Sequence, residues 1–264
     1  MYNKIIITAT NDKFFDSLMV LISSIHKHSF NIVDQIFVYN IGLSEEHIDI
    51  LLTIKKITVL NFSEEAKNSH TKFMEPKQFV YKAYCLNDAS RLGINILWID
   101  SGSMFLRSCE TIFDTIENEH IFIVGDVDHK NKNHVHDKCI SIMQASQIEL
   151  DDSHIWAGLI GYKYLGKYQH IIDEHIRYAM IPGCCDRYDI NCNSHLGDQS
   201  ILCILVSRYK VLRHSLDMYG YWCYPELSRN IQDAININSY VLTHRGRDAN
   251  ILKEFNKDII LIPQ

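Results

Sequence analysis

Short apolar runs alternate with amphipathic helical segments along the first half of the chain, and this alternation constrains the fold more than any other feature. A β-branched run at residues 4–9 is followed by a helical segment at 14–25. A second run at 35–39 is followed by a helical segment at 45–54, and a third run lies at 57–61. Strands separated by helices of this length predict right-handed crossovers and a mainly parallel sheet. The sequence therefore predicts an α/β fold.

The fourth predicted strand ends inside the stretch ILWIDSGSMF at residues 96–105. A helical segment at 77–91 precedes it, starts after Pro76 and stops before Gly93. The apolar run ends at Asp100, and burying an ionised carboxylate costs several kcal/mol unless it is paired or bound to a cation. Because open α/β sheets bind ligands at the carboxyl ends of their strands, we expect Asp100 to face a cleft.

The second half of the chain continues the pattern without an internal repeat, a low-complexity tract or a linker, so we expect the 264 residues to form one domain. A polar, His-rich loop is predicted at 126–139. The remaining predicted elements are strands at 121–125, 155–163, 209–213 and 239–243, and helices at 167–180 and 198–208.

Composition argues against two classes of partner. The formal net charge of -6 gives no basic footprint for nucleic-acid phosphates. No window holds the roughly 18 uninterrupted apolar residues that a membrane span needs. The N-terminal residues MYNKIIITAT are typical of a first strand rather than a secretory signal, so we expect a cytoplasmic protein. Its eight cysteines are then expected to be reduced thiols.

One cysteine cluster has the ligand types of a zinc site. It contains Cys184, Cys185, Cys192 and His195. Structural zinc sites commonly use paired CxxC spacing, which this cluster lacks. A zinc site is therefore the less favoured interpretation of these residues.

Several motifs occur together in an order that resembles a known enzyme group. They are ITATNDKFFDSL at 7–18, LWIDSGS at 97–103, WAGLIGYK at 156–163, the pair Asp198 and Gln199, and the run His244, Arg245 and Gly246. With these motifs the chain resembles the GT-A-fold glycosyltransferases, in particular the group that contains glycogenin and the bacterial retaining α-galactosyltransferases. The resemblance spans most of the chain. It implies a single GT-A-like domain with a mainly parallel, Rossmann-like mixed sheet flanked by helices.

The resemblance also implies a substrate class. A nucleotide sugar, with UDP as the expected nucleotide, would bind the half at 1–125, and a saccharide, protein or lipid-linked acceptor would bind the half at 126–264. By position alone, Tyr39 or Asn40 would contact the base or the ribose. The residues expected to contact the donor are Thr8, Ala9, Tyr39, Lys82, Asp100, Ser101, Gly102 and Gly246.

A nucleotide sugar leaves as a diphosphate, so its site must stabilise growing negative charge with a divalent cation, cationic side chains or helix N-termini. The resemblance implies that Asp100 and His244 bind Mn2+ or Mg2+. The second carboxylate of the DxD motif is missing because position 102 is Gly102, and this lowers the expected affinity for metal. Lys82 and Arg91, in the preceding helical segment, are candidate cationic contacts.

A literal DxD further along the chain offers an alternative metal site. Asp126 and Asp128 follow a predicted strand, and His129, His134 and His136 come soon after. Carboxylate and imidazole ligands suit manganese, although a polar loop of this composition is also typical of a solvated surface. A metal-dependent hydrolase built on this loop is therefore one alternative function.

Asp198 and Gln199 are the predicted catalytic residues. In a retaining enzyme, either would stabilise the cationic transition state on the face of the donor sugar opposite the diphosphate. In an inverting enzyme, Asp198 would serve as the base for the acceptor. Both residues also have a structural interpretation, as the N-cap and a first-turn residue of the helix at 198–208. The predicted function is hexosyl transfer from a UDP-sugar, and a catalytically silent binding domain is the second alternative.

Overall fold

The computed structural model of the protein describes residues 1–186, 195–222, 227–245 and 254–263. Ten strands and eleven α-helices lie in these ranges. The strands are β1 (Tyr2–Thr10), β2 (Gln35–Asn40), β3 (Ile57–Leu60), β4 (Gly93–Ile99), β5 (Ser103–Phe105), β6 (Ile121–Lys130), β7 (Ser153–Lys163), β8 (His214–Ser215), β9 (Tyr221–Trp222) and β10 (Val241–Thr243). The helices are α1 (Phe15–Ser29), α2 (Glu45–Leu52), α3 (Glu64–Asn68), α4 (Val80–Asp88), α5 (Glu110–Glu119), α6 (Asp137–Met143), α7 (Gln147–Asp151), α8 (Gln169–Ala179), α9 (Asp198–Arg208), α10 (Leu216–Tyr219) and α11 (Leu227–Asn236).

A seven-stranded sheet in the order β3-β2-β1-β4-β7-β6-β8 forms the centre of the protein. The first four of these strands are parallel to one another, and β6 is parallel to β8. Only β7 runs antiparallel to its neighbours in this sheet. The prediction of a mainly parallel mixed sheet flanked by helices is confirmed. A smaller sheet has the order β5-β10-β9.

The central sheet is buried on both faces, as a run such as Ile5, Ile6 and Ile7 requires. Alternate residues of a strand point to opposite faces. Ile5 and Ile7 therefore pack in the layer that contains α4, α8 and α9, whereas Ile6 packs in the layer that contains α1 and α5. No helix in the described part of the chain is long and apolar enough to cross a membrane.

The antiparallel direction of β7 determines which residues meet at the functional end of the sheet. The first half of β7 lies beside the carboxyl ends of β4 and β6. The Asp100 amide donates to the Gly158 carbonyl at 2.9 Å, and Asp126 is the β-ladder partner of His154. The Asp100 motif, the Asp126 motif and the start of β7 therefore share one edge.

Two predicted elements have different bounds in the structure. The helix predicted at 77–91 begins at Val80, because Phe79 takes a left-handed conformation with φ of 61° and acts as its N-cap. The loop predicted at 126–139 contains the end of β6 and the start of α6, since pairing with β7 continues to Lys130.

The predicted strand at 209–213 is not formed. Its amides cap the end of α9 instead: the Val211 amide donates to the Val206 carbonyl at 3.0 Å, and the Lys210 amide donates to the Ser207 carbonyl at 3.1 Å. Lys210 takes a φ of 51°, which is typical of a helix C-terminal motif. The strand follows later, as β8.

Candidate active site

Asp100 lies at the carboxyl end of the central strand β4, where the sequence placed it. Its side chain is 46% exposed. The Oδ1 atom accepts a hydrogen bond from Trp98 Nε1 at 2.7 Å and another from Lys82 Nζ at 2.9 Å. Trp98 is two residues before Asp100, and the strand period of two places both side chains on one face. This spacing was a signal from which Trp98 could have been predicted.

The Lys82 ammonium lies in the interior below Asp100. Its side chain is 5% exposed, so Lys82 is a buried residue and not a solvated surface lysine. Besides Asp100, Lys82 Nζ donates to the Ala157 carbonyl at 2.7 Å and lies 3.9 Å from Asp198 Oδ2. It also lies 5.0 Å from the centre of the Trp98 ring. A buried ammonium is tolerated only with partners of this kind.

Asp198 is the first residue of α9, and its Oδ2 lies 3.9 Å from Lys82 Nζ. The N-cap of α9 is Gly197, with φ of 65°, so the alternative structural interpretation of Asp198 as the N-cap is wrong. Asp198 is 2% exposed. Burial raises the pKa of its carboxyl to about 6, with Lys82 opposing that effect and Asp100 adding to it. Within the described residues, its Oδ2 accepts no hydrogen bond.

The Gln199 side chain forms hydrogen bonds with the backbone of β7. Its Nε2 donates to the Ile155 carbonyl at 3.0 Å, and its Oε1 accepts from the Ala157 amide at 3.4 Å. The Ala157 residue therefore contacts Gln199 through its N–H and Lys82 through its carbonyl. Backbone contacts of this kind leave no signal in the sequence, and Ala157 was not predicted as part of the site.

Gly102 is packed against the segment that follows β10. Its carbonyl accepts hydrogen bonds from the amides of His244 and Arg245, both at 2.9 Å. A Cβ at position 102 would lie 3.0 Å from the Arg245 Cα, so an aspartate there would require this segment to move. The close packing at position 102 therefore favours glycine over the second aspartate of a DxD motif. Gly246 lies outside the described residues.

The ligand set around Asp100 fits a divalent cation only in part. His244 is fully buried, and burial lowers the pKa of its imidazole to about 4, so the ring is neutral and able to bind metal at neutral pH. Asp100 Oδ1 is shared by Lys82 and Trp98. Within the described residues, no group of three or more His, Cys, Asp or Glu side chains is arranged to hold a metal ion. A cation here would need further ligands from the substrate.

The same finding bears on the two alternative metal sites. Asp126 Oδ2 is paired with His129 Nδ1 at 2.9 Å. In the cysteine cluster, Cys184 Sγ lies 3.6 Å from Cys139 Sγ, and the His195 ring stacks on His136. Neither cluster forms a group of three ligands among the residues that the structure describes, and Cys192 lies outside them.

Three other residues predicted to contact the donor are buried. The Thr8 side chain is fully buried, and its Oγ1 has no hydrogen-bond partner in the described part of the chain. Ala9 and Ser101 are also buried, at the ends of β1 and β4 respectively.

Three predicted contacts have other partners. Tyr39 is 2% exposed, and its hydroxyl donates to Asp88 at 2.7 Å. Asn40 binds Asn61 and the amides that follow β2. Arg91 pairs with Asp88 through two hydrogen bonds, nine positions beyond Lys82. The Tyr39 side chain is thus a core residue, and Arg91 is not part of the Asp100 cluster.

A cleft of about 330 Å³ adjoins Gln199 on the side of β6. Its lining combines carboxylates and imidazoles with apolar side chains. The lining residues are Asp126, Asp128, His129, His134, His154, Ile155, Trp156, Leu196, Gln199 and Leu216. A cleft of this size and mixed polarity is suited to a small polar ligand.

The protein has the fold of solved glycosyltransferases. It matches the bifunctional glycosyltransferase WbbM with a TM-score of 0.64 and 11% identity over 98% of its own length, and it spans 50% of that chain. It matches the galactosyltransferase LgtC, solved in complex with donor and acceptor sugar analogues, with a TM-score of 0.56 and 12% identity over 98% of both chains. A second LgtC structure, in which an active-site glutamine is replaced by glutamate, has a TM-score of 0.57. Mouse xyloside xylosyltransferase 1 matches with a TM-score of 0.51 and 11% identity over 92% of this chain and 97% of its own.

No protein-family model matches the chain, and no curated protein matches it in sequence. Identities of 11% and 12% establish the fold alone. The predicted GT-A-like glycosyltransferase fold is confirmed.

Proposed function

We propose that the protein transfers a sugar from a nucleotide-sugar donor, with UDP as the nucleotide, to an acceptor hydroxyl. The observation that carries this proposal is the charge cluster at the end of β4, in which buried Lys82 lies beside buried Asp198 and partly exposed Asp100. Asp198 Oδ2 is a buried acceptor without a hydrogen bond from the described residues, and a hydroxyl-rich ligand such as a sugar would satisfy it. In the same fold, LgtC was solved with donor and acceptor sugar analogues.

The donor would lie along the carboxyl ends of β1, β2 and β4, where open α/β sheets bind ligands. Two observations support this placement. Asp100 is the partly exposed member of the buried charge cluster, and the buried Thr8 Oγ1 at the end of β1 has no hydrogen bond from the described residues. The turn of Asp100, Ser101 and Gly102 would face the ribose and the diphosphate.

A divalent cation is part of this proposal. Mn2+ or Mg2+ would be held by the Asp100 carboxylate and the neutral His244 imidazole, with diphosphate oxygens and water as the other ligands. When bound, the cation would supply positive charge to the diphosphate as it leaves. Lys82 holds Asp100 in place through a 2.9 Å hydrogen bond, and its charge offsets the two neighbouring carboxylates.

Asp198 and Gln199 would act on the sugar itself. Both contact the Lys82–Ala157 group, so they lie next to the point at which the donor sugar would follow the diphosphate. The Gln199 Oε1 and the Asp198 carboxylate would stabilise the positive charge that develops on the sugar ring. The active-site glutamine of LgtC supports this role for Gln199 by analogy. The bond from the anomeric carbon to the diphosphate breaks and the bond to the acceptor oxygen forms.

The acceptor would bind in the cleft beside Gln199. The cleft offers carboxylate and imidazole groups for hydroxyls and apolar surface for sugar faces. In a retaining reaction the acceptor attacks from the side of the leaving diphosphate, which would take the hydroxyl proton. In an inverting reaction a protein base takes it. The anomeric configuration of the product, read by NMR, distinguishes these two routes.

A thermal-shift screen of nucleotides and nucleotide sugars, combined with an assay for sugar hydrolysis, tests the proposed function. A ligand present at 100 times its dissociation constant should stabilise the protein by about 2.7 kcal/mol. We expect stabilisation by UDP or a UDP-sugar and release of UDP. UDP binding without release of UDP from any UDP-sugar would favour a silent binding domain. Metal-dependent hydrolysis without UDP binding would favour a hydrolase. The cytoplasmic location stays a prediction.

A further inference from the structure

His154 lies in β7 beside the Gln199 side chain. It is 2% exposed, and its Nε2 lies 2.7 Å from Gln199 Nε2. Two nitrogen atoms at this distance form a hydrogen bond only if one donates and the other accepts. The other contacts of the two side chains determine which nitrogen does which.

The backbone of β7 identifies which end of the Gln199 amide is the NH2 group and which is the oxygen. One end of the amide lies 3.0 Å from the Ile155 carbonyl oxygen, and the other lies 3.4 Å from the Ala157 nitrogen. A carbonyl oxygen only accepts and a backbone N–H only donates. The end near Ile155 must therefore be the NH2 group, and its second proton points to His154. His154 Nε2 must accept that proton.

The other ring nitrogen of His154 must then carry the proton. His154 Nδ1 lies 3.3 Å from Asn131 Oδ1 and 3.1 Å from Cys203 Sγ. The Asn131 Nδ2 group donates to the Glu149 carbonyl at 2.8 Å and to Ser207 Oγ at 3.0 Å, so the Asn131 oxygen faces His154. Burial lowers the pKa of His154 to about 3, so the imidazole is neutral at neutral pH.

We infer that His154, in the Nδ1–H tautomer, is a positioning residue that holds the Gln199 amide with Oε1 toward Ala157 and NH2 away from it. This inference rests on the proposed function, in which Gln199 Oε1 faces the positive charge on the donor sugar. A reversed amide would present NH2 to that charge and repel it. His154 thus acts through Gln199, and Asn131 determines the tautomer of His154.

NMR of the wild-type protein labelled with 15N-histidine tests the geometry without any assay of activity. The signals of His154 are identified as those missing from the spectrum of His154→Gln. We expect a neutral ring with the proton on Nδ1 that stays neutral down to about pH 5. An Nε2–H tautomer, or a ring that titrates near the ordinary histidine value, would overturn the inference.

A double-mutant cycle tests the function of the contact. His154→Phe removes the acceptor and should lower kcat about tenfold with donor affinity unchanged. His154→Gln can return an acceptor oxygen near the Nε2 position and should restore most of the loss. In a Gln199→Ala background, His154→Phe should have no further effect, because there is no amide left to orient.

His26→Phe is the matched control. His26 is also buried, and both of its ring nitrogens bind backbone groups, the Lys55 carbonyl at 3.1 Å and the Ile260 amide at 2.9 Å. It lies in α1, on the opposite face of the sheet from α9, and its replacement should leave kcat unchanged. Equal losses from His154→Phe in both backgrounds would overturn the inference. If the wild-type protein turns over no nucleotide sugar, the proposed function fails, and the tautomer measurement still decides the geometry.

Discussion

Replacing Asp198 by asparagine should make the protein progressively more stable relative to the wild type as the pH rises from about 4 to about 8, and it should lower turnover. Asp198 is 2% exposed, and burial raises the pKa of its carboxyl from 3.8 to about 6. The folded protein therefore binds this proton more tightly than the unfolded chain does. The resulting stability is fully present below the unfolded pKa of 3.8 and is lost as the pH rises through about 6.

The size of this loss follows from the pKa. A tenfold change in proton affinity corresponds to about 1.4 kcal/mol, so a change of pKa from 3.8 to about 6 corresponds to about 3 kcal/mol. Asparagine cannot ionise. The difference in unfolding free energy between Asp198→Asn and the wild type should therefore grow by about 2.4 kcal/mol, in favour of the variant, between about pH 4 and pH 8.

Urea unfolding of both proteins across this pH range measures the difference, because the titration of all other groups cancels between them. Glu110→Gln is the matched control, since it makes the same carboxylate-to-amide change at an exposed residue, the first of α5. A difference for Asp198→Asn that does not change with pH would refute the argument. The same variant should lose turnover by about tenfold or more with donor affinity nearly intact, and full turnover would make Asp198 a structural residue.

Further changes test other parts of the site. Gln199→Ala should lower turnover about tenfold or more without weakening donor binding, measured by steady-state kinetics. Binding of Mn2+ and binding of UDP should be cooperative because the two share ligands. In titrations, Asp100→Ala should remove this coupling, and the double change Asp126→Ala, Asp128→Ala should keep it. The reverse result would place the metal at Asp126 and Asp128. Gly102→Asp should destabilise the protein by about 1–3 kcal/mol because the segment after β10 must move, and an unchanged urea midpoint would contradict this. UDP should slow amide hydrogen exchange at the carboxyl ends of β1, β2 and β4, and protection of a remote face would disprove the donor placement.

Local patterns of apolar residues predicted the central strands. The β-branched run at 4–9 and the apolar run before Asp100 are strands because their side chains must be buried on both faces of a sheet. Element ends were predicted less well. The start of α4 depends on the left-handed Phe79, and the end of β6 depends on pairing with β7. The end of β6 is thus decided by a strand that is distant in sequence.

The residues of the candidate site also divide into those that local sequence predicted and those that it did not. Asp100 was predicted from its place at a strand end, and Asp198 and Gln199 from their resemblance to a motif. Trp98 was missed although the strand period points to it. His154 was missed because nothing in its local sequence indicates a contact 45 positions away in the chain.

By itself, the sequence determined an α/β fold, the alternation of strands with helices up to Asp100, and the strand that ends there. These follow from side-chain periodicity, which is a property of neighbouring residues. Only the tertiary structure decided that Lys82 is buried between Asp100 and Asp198, that Gly102 is packed against Arg245, and that the carbonyl of Ala157 completes the contacts of Lys82. The physical reason is that a buried charge is stable only where several polar or charged groups surround it. These groups are distant in sequence and come together only once the sheet has formed.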